Sequence, residues 1–222
     1  MALKQKAELI SDTLEELLGV PTRGGTANVL DSLILTILSQ NTTDVSRDKG
    51  YARLRERFPT WEAVLHADEA DITDAIRIAG LSKQKSRTIK NFLTWLQEEY
   101  GELSLEFIHD METEAALALL CQHKGIGIKT ASVVLSFACG REVFPVDTHI
   151  LRISKRLGLI PQNCSAEKAH QALPPIVPEG KAYPFHMNLI YFGRQICNAR
   201  KPRCEKCPLT EQCLYFAAEV KG

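Results

Sequence analysis

Four of the seven cysteines lie between positions 197 and 213, as Cys197, Cys204, Cys207 and Cys213, with six, two and five residues between successive members. A segment that brings four thiols together cannot run as one long helix or strand; it must wind through short turns. The start, Met1-Ala2-Leu3-Lys4-Gln5-Lys6, meets Glu8 and Asp12 where a secretory signal carries an apolar core, so an intracellular, cytoplasmic address is expected. Disulfides are rare in that reducing compartment, and the clustering points to a metal site. Thiolates suit zinc or an iron–sulfur cluster. Structural zinc takes two short cysteine pairs. Here only Cys204 and Cys207 form one, and the wider outer spacings favour a [4Fe–4S] core over zinc. Cys121, Cys139 and Cys164 read as small core or surface residues.

The rest of the chain carries helical periodicity. Val29, Leu30, Leu33, Ile34, Ile37 and Leu38 recur on one face and predict a helix over about 27–39. Asp68 begins another that stops at Gly80. Ser82 is read as the cap of a third, carrying Ile89, Phe92, Leu93 and Leu96 and closed by Gly101. Asp110 is read as the cap of 111–121, and a helix over about 128–139 is expected to end at Gly140. Asp147 caps a helix ending at Gly158, and Pro184 sits in the first turn of one reaching about Cys197. Alternating strand patterns are almost absent, since 142–146 is short and interrupted by Pro145. The fold class is all-α. At 222 residues with 45% hydrophobic content there is material for a substantial core, and no apolar run reaches the roughly 18 residues of a membrane span.

Equal numbers of acids and bases, 27 of each, give a formal net charge of zero, which excludes a uniformly basic nucleic-acid binder. Locally the charge is segregated. Lys83, Lys85, Arg87 and Lys90 lie together without an intervening acid, and Arg194, Arg200, Lys201, Arg203 and Lys206 stand against Glu205 alone. Between them, Glu98, Glu99, Glu102, Glu106, Asp110, Glu112 and Glu114 form an acidic stretch. Any single run is ordinarily a solvated helix face; two basic clusters and one acidic block together suggest a one-sided binding surface.

His123-Lys124-Gly125-Ile126-Gly127-Ile128-Lys129-Thr130-Ala131 joins two helices through a Gly-x-Gly turn. Such a turn is a common tight connection, but it also lets backbone N–H groups at a helix start approach a phosphate. Lys129 falls in the first turn of the second helix. A lysine there faces the positive end of the dipole, which disfavours the ammonium form and favours a nucleophilic amine, although most lysines near helix starts are merely exposed. Phe144-Pro145-Val146-Asp147-Thr148-His149 lies further along, with a carboxylate suited to helix capping and able to serve a cleft at that helix end.

Together these pieces resemble the endonuclease III family, DNA glycosylase/lyases of the helix–hairpin–helix superfamily. The matching elements are Leu38-Ser39-Gln40-Asn41-Thr42-Thr43-Asp44, Gly80-Leu81, the hairpin 125–131, Val146-Asp147-Thr148-His149 and the four cysteines with their six-two-five spacing. The resemblance implies two lobes: a six-helix barrel over residues 22–133, and a cluster lobe formed by the N-terminal helix (1–21) with 134–222, the active-site cleft between them. It implies a [4Fe–4S] cofactor on the four cysteines, Lys129 as nucleophile and Asp147 as its carboxylate partner. Oxidised pyrimidines in duplex DNA are the implied substrates, processed by base removal and β-elimination through a Schiff base. By the same resemblance Leu81 and one of Gln40 or Asn41 fill the gap left by a flipped base. Gly125, Ile126 and Gly127 grip phosphate through backbone, and Arg200, Lys201 and Arg203 add phosphate contacts. The protein is then expected to act as a monomer, associated with the nucleoid if bacterial. A mismatch glycosylase for thymine or uracil, or a non-catalytic DNA-binding iron–sulfur protein, are the alternatives. The chain departs from the family pattern at His123-Lys124 (usually Leu-Pro), at Ile128 (commonly Arg) and at Gln40-Asn41-Thr42 (usually Ala-Gln-Ala).

Overall fold

The computed structural model describes residues 2–24 and 28–219. Among them every regular element is helical. The helices are α1 (Leu3–Leu18), α2 (Val29–Ser39), α3 (Asp44–Arg57), α4 (Trp61–His66), α5 (Glu69–Ala75), α6 (Ser82–Tyr100), α7 (Thr113–Cys121), α8 (Ile128–Phe137), α9 (Thr148–Arg156), α10 (Ala166–Ala172), α11 (Ala182–Gln195) and α12 (Leu214–Glu219). Short 3₁₀ turns fill several connections, including Arg77–Ala79 and Cys204–Lys206. No helix among the described residues is long and apolar enough to cross a membrane.

The chain forms two compact units. One is Gly25–Cys139; the other combines Met1–Gly24 with Gly140–Gly222. The first has a core supplied by Leu30, Leu33, Ile34 and Ile37 of α2, Ile89, Phe92, Leu93 and Leu96 of α6, and Val134 and Leu135 of α8. In the second, Ala7, Ile10 and Leu14 of α1 pack with Ile150 and Ile153 of α9 and with Phe185, Leu189 and Phe192 of α11. Polar links reinforce that core: Lys181 Nζ donates to Asp12 and Glu15, each at 2.8 Å, and Asn188 Nδ2 donates to Gly19 O at 3.0 Å.

Several boundaries differ from the sequence expectations. The division expected at 133/134 falls inside α8, whose hydrogen-bond ladder carries the chain to Phe137, and the units part at Cys139/Gly140. The expected start of α2 near residue 27 lies outside the described residues; Asn28 caps that helix, accepting from Asp31 N at 3.0 Å. Ser82 is the first helical residue of α6, not its cap. The cap position is Leu81, held left-handed at φ 49°. Asp110 ends a 3₁₀ turn (Glu106–Asp110), because Met111 N–H closes on Ile108 O, and α7 begins only after Glu112.

Candidate active site and thiol cage

Within unit 25–139, the turn from α7 to α8 is built on local constraints. Ile126 N–H donates to His123 O at 3.0 Å and the Ile126 side chain is buried, so this residue is tied into the turn at both ends. Gly125 has φ 96°, and a Cβ there would collide with the Thr88 side chain of α6. Only glycine meets both conditions. Gly127 enters α8 in an extended conformation, so Ile128 and Lys129 occupy the first helical turn, where backbone N–H groups have no intrahelical acceptor. Lys129 is half-buried.

Gln40 and Asn41, equivalent alternatives in the sequence, separate here. Gln40 Nε2 donates to Gly125 O at 3.0 Å and to Thr130 Oγ1 at 3.2 Å, so its amide braces the hairpin. Asn41 is exposed with φ 50°. Among the described residues, Asn41 and Leu81 are the non-glycine positions with positive φ, and Leu81 is 50% exposed. A left-handed leucine costs on the order of 1–2 kcal/mol, and an exposed apolar side chain held there contributes little to the core.

The basic cluster at 83–90 does not survive folding as a patch. Lys83 is exposed, but Arg87 pairs with Glu69 at 3.4 Å and Lys90 Nζ donates to Ala67 O. Lys85 is buried at 1% exposure, its Nζ donating to Leu38 O at 2.7 Å and Ala79 O at 2.8 Å. Burial pushes its pKa down to about 8.

In the other unit, Asp147 Oδ1 accepts from Ile150 N at 2.8 Å and caps α9. The approach to it is fixed by the buried run Phe144–Pro145–Val146, with His186 Nδ1 3.0 Å from Pro145 O. His149 has its pKa lowered by burial, against the attraction of Asp147. Its Nδ1 lies 3.1 Å from Arg152 Nη2, so it has a local orienting partner.

All four C-terminal cysteines line one cavity, with Phe192, Ile196 and Tyr215 among its other walls. Among the described residues no three His, Cys, Asp or Glu side chains converge as a single-ion site. The four thiols share the lining of that one cavity. Burial pushes Cys207 up to about 11, and burial followed by the facing Cys197 and Cys213 raises Cys204. A positively charged core is what such a set of thiols needs in order to ionise. Two guanidiniums that sequence reading missed hold the approach. Arg156 donates to Cys197 Sγ at 3.3 Å, Asn198 O at 2.8 Å and Ala199 O at 2.9 Å, and Arg152 donates to Cys197 O at 2.9 Å. Their four-residue spacing on α9 was the available signal. Beyond this clamp Arg200, Lys201 and Arg203 are exposed.

Residues 34–179 match the HhH-GPD superfamily of base-excision DNA repair proteins. The chain is 35% identical over 201 residues to endonuclease III of Sulfolobus acidocaldarius, an alignment covering 90% of this chain and 87% of that one. It belongs to the endonuclease III family. A second family member, endonuclease III of Thermotoga maritima, is 33% identical over 190 residues, covering 86% of this chain and 84% of its own. The fold agrees with solved structures of the family. A non-covalent endonuclease III–DNA complex superposes with TM-score 0.85 at 28% identity over 100% of both chains. A trapped endonuclease III–DNA covalent intermediate gives 0.82 at 30% identity, covering 96% of this chain and 97% of that one. As an endonuclease III-type protein it is a base-excision-repair DNA glycosylase.

Proposed function

We propose that this protein is a bifunctional DNA glycosylase/AP lyase acting on oxidised pyrimidines in duplex DNA. The observation that carries the reading is Lys129, an amine in the first turn of α8 directly after the Gly125–Gly127 turn. Lys129 Nζ attacks C1′ of an extruded nucleotide, the N-glycosidic bond breaks, and the base leaves with a proton. The aminal so formed opens at C1′–O4′, O4′ taking up a proton as the nitrogen lone pair forms the C=N bond. This Schiff base withdraws electrons, so loss of a 2′ proton expels the 3′ phosphate oxygen and nicks the strand. Hydrolysis of the remaining imine returns the lysine. Asp147 stabilises the cationic sugar and assists proton transfer. Extruding a base costs a few kcal/mol, least where damage has already weakened its pairing.

Leu81 and Asn41 suit the vacated space, one as an apolar wedge and the other as an amide facing the orphan base. Gln40 then supports the hairpin. Gly125 and Gly127 allow the phosphate to approach the start of α8, with Ile126 holding the turn closed between them. Arg200, Lys201 and Arg203 add phosphate contacts. Cys197, Cys204, Cys207 and Cys213 would hold a [4Fe–4S] cluster, which when bound supplies iron–thiolate bonds that fix the basic loop.

Borohydride trapping on duplexes containing thymine glycol, an abasic site or a G·T mismatch tests the reading. Adducts are expected on the first two. Adduct formation or base release confined to the mismatch assigns a mismatch glycosylase, and binding without an adduct or base release on any duplex assigns a non-catalytic protein. Asp147 has its own discriminating pair. Asn caps helices as well as Asp, so Asp147→Asn is expected to leave the melting temperature unchanged while slowing base release about 10²–10³-fold. Asp147→Ala adds a loss of about 1 kcal/mol, or roughly 2–4 °C. Wild-type rates in Asp147→Asn would restrict Asp147 to capping.

A further inference from the structure

Among the buried titratable groups of the described residues that the proposed mechanism does not use, Lys85 is the one cation. Lys85 is among the largest fully buried side chains of the described residues, and its two acceptors are backbone carbonyls rather than carboxylates. Leu38 O belongs to the last turn of α2, and Ala79 O ends the 3₁₀ turn Arg77–Ala79. Both are helix-end carbonyls that lack an intrahelical partner, and a lysine is suited to such ends because it donates several hydrogen bonds and complements the negative dipole.

The residues just beyond the two carbonyls make the arrangement more than a structural plug. Three residues after Leu38 comes Asn41, and two residues after Ala79 comes Leu81, the two left-handed non-glycine residues among those described. Lys85 also holds Leu81 from its other side, since its backbone N–H donates to Leu81 O at 3.0 Å. One residue thus fastens the entry to the Asn41 turn and both flanks of the Leu81 turn. Burial lowers the pKa, but even the neutral amine keeps two N–H donors, one for each carbonyl.

We propose that Lys85 is a positioning residue that staples the Asn41 and Leu81 turns into one preorganised wedge, so that both side chains enter the duplex in fixed register. The inference rests on the reading that Asn41 and Leu81 fill the gap of the extruded base. It requires no contact between Lys85 and DNA.

The test compares wild type with K85M in the iron-loaded full chain, using a thymine-glycol duplex with 2-aminopurine beside the lesion and a single-stranded abasic oligonucleotide. Single-stranded substrate needs no wedge. K85M is expected to lose most of the 2-aminopurine unstacking signal and to process the duplex about 100-fold more slowly, the scale of effect that small misplacements produce. Borohydride trapping on the single strand should stay within about twofold of wild type. In an N41G/L81G background, K85M should add no more than about twofold, because it acts through those turns. Unchanged duplex processing, or equal losses on duplex and single strand, overturns the proposal. Should K85M fail to fold, K85Q, which keeps a donor group, takes its place. Failure of both to fold assigns Lys85 to stability alone and also overturns it. The catalytic reading fails separately: wild type would then trap no adduct on any substrate, while the unstacking signal would still report on Lys85.

Discussion

Lys129→Ala is expected to abolish borohydride-trapped adducts and to slow strand nicking on the order of 10⁴-fold or more, while duplex binding stays within about threefold. The size follows from the chemistry. Without an amine at the reacting carbon there is no imine, and without the imine no electron sink for β-elimination. The selectivity of the effect follows from the structure. Lys129 is half-buried at a helix start and is not among the buried core residues, so its removal is expected to leave melting within about 1 °C. A nearby substitute exists in sequence, the exposed Lys124, but it precedes the Gly125 turn and lies outside the first turn of α8. An adduct that persists in Lys129→Ala and disappears in Lys124→Ala would transfer the nucleophile's role and require a different approach of the sugar to the hairpin.

Much of the candidate site's local geometry could be read from residue order because the proposed groups sit at helix ends, and helix ends carry local signals. The hairpin glycines, Lys129 one residue into α8 and the capping Asp147 all belong to that class. What could not be read depends on contacts between residues distant in sequence. Gln40 and Asn41 are equivalent amides until Gln40 reaches residues 125 and 130. Leu81 carries no propensity for a left-handed backbone, yet it holds φ 49° and takes the cap position expected at Ser82. Lys85 was legible in part. It precedes Ile89, Phe92, Leu93 and Leu96 on the buried stripe of α6, a spacing that assigns it to the interior, whereas its charge suggested a surface patch. Periodicity predicted its location better than residue type did, because two helix-end carbonyls were waiting to receive the ammonium.

Cys204→Ser is expected to lower iron and sulfide content from about four each per chain to a small fraction, and to lower the melting temperature by about 10 °C or more. Residues 197–213 have a small core of their own, with Cys197, Cys207 and Cys213 packed against the main one. Leu209 is the fully buried side chain of that stretch, and its regular structure consists of two three-residue 3₁₀ turns. Where a segment has so small a core, cofactor binding energy is folding energy. Without the cluster, the loop bearing Arg200, Lys201 and Arg203 keeps the Arg152 and Arg156 clamp on residues 197–199 and the Arg203 N–H bond to Ile196 O at 2.9 Å. Duplex affinity at low salt is expected to fall about 10–100-fold, with the salt dependence shallower by roughly two to three phosphate contacts. The triple replacement R200A/K201A/R203A separates charge from scaffold: it should reproduce the binding and salt effects while keeping iron and melting temperature. Equimolar zinc in the purified protein would replace the iron–sulfur reading. A triple variant with unaltered salt dependence would remove this loop from the DNA surface, and the affinity lost in Cys204→Ser would then belong to general unfolding of the segment.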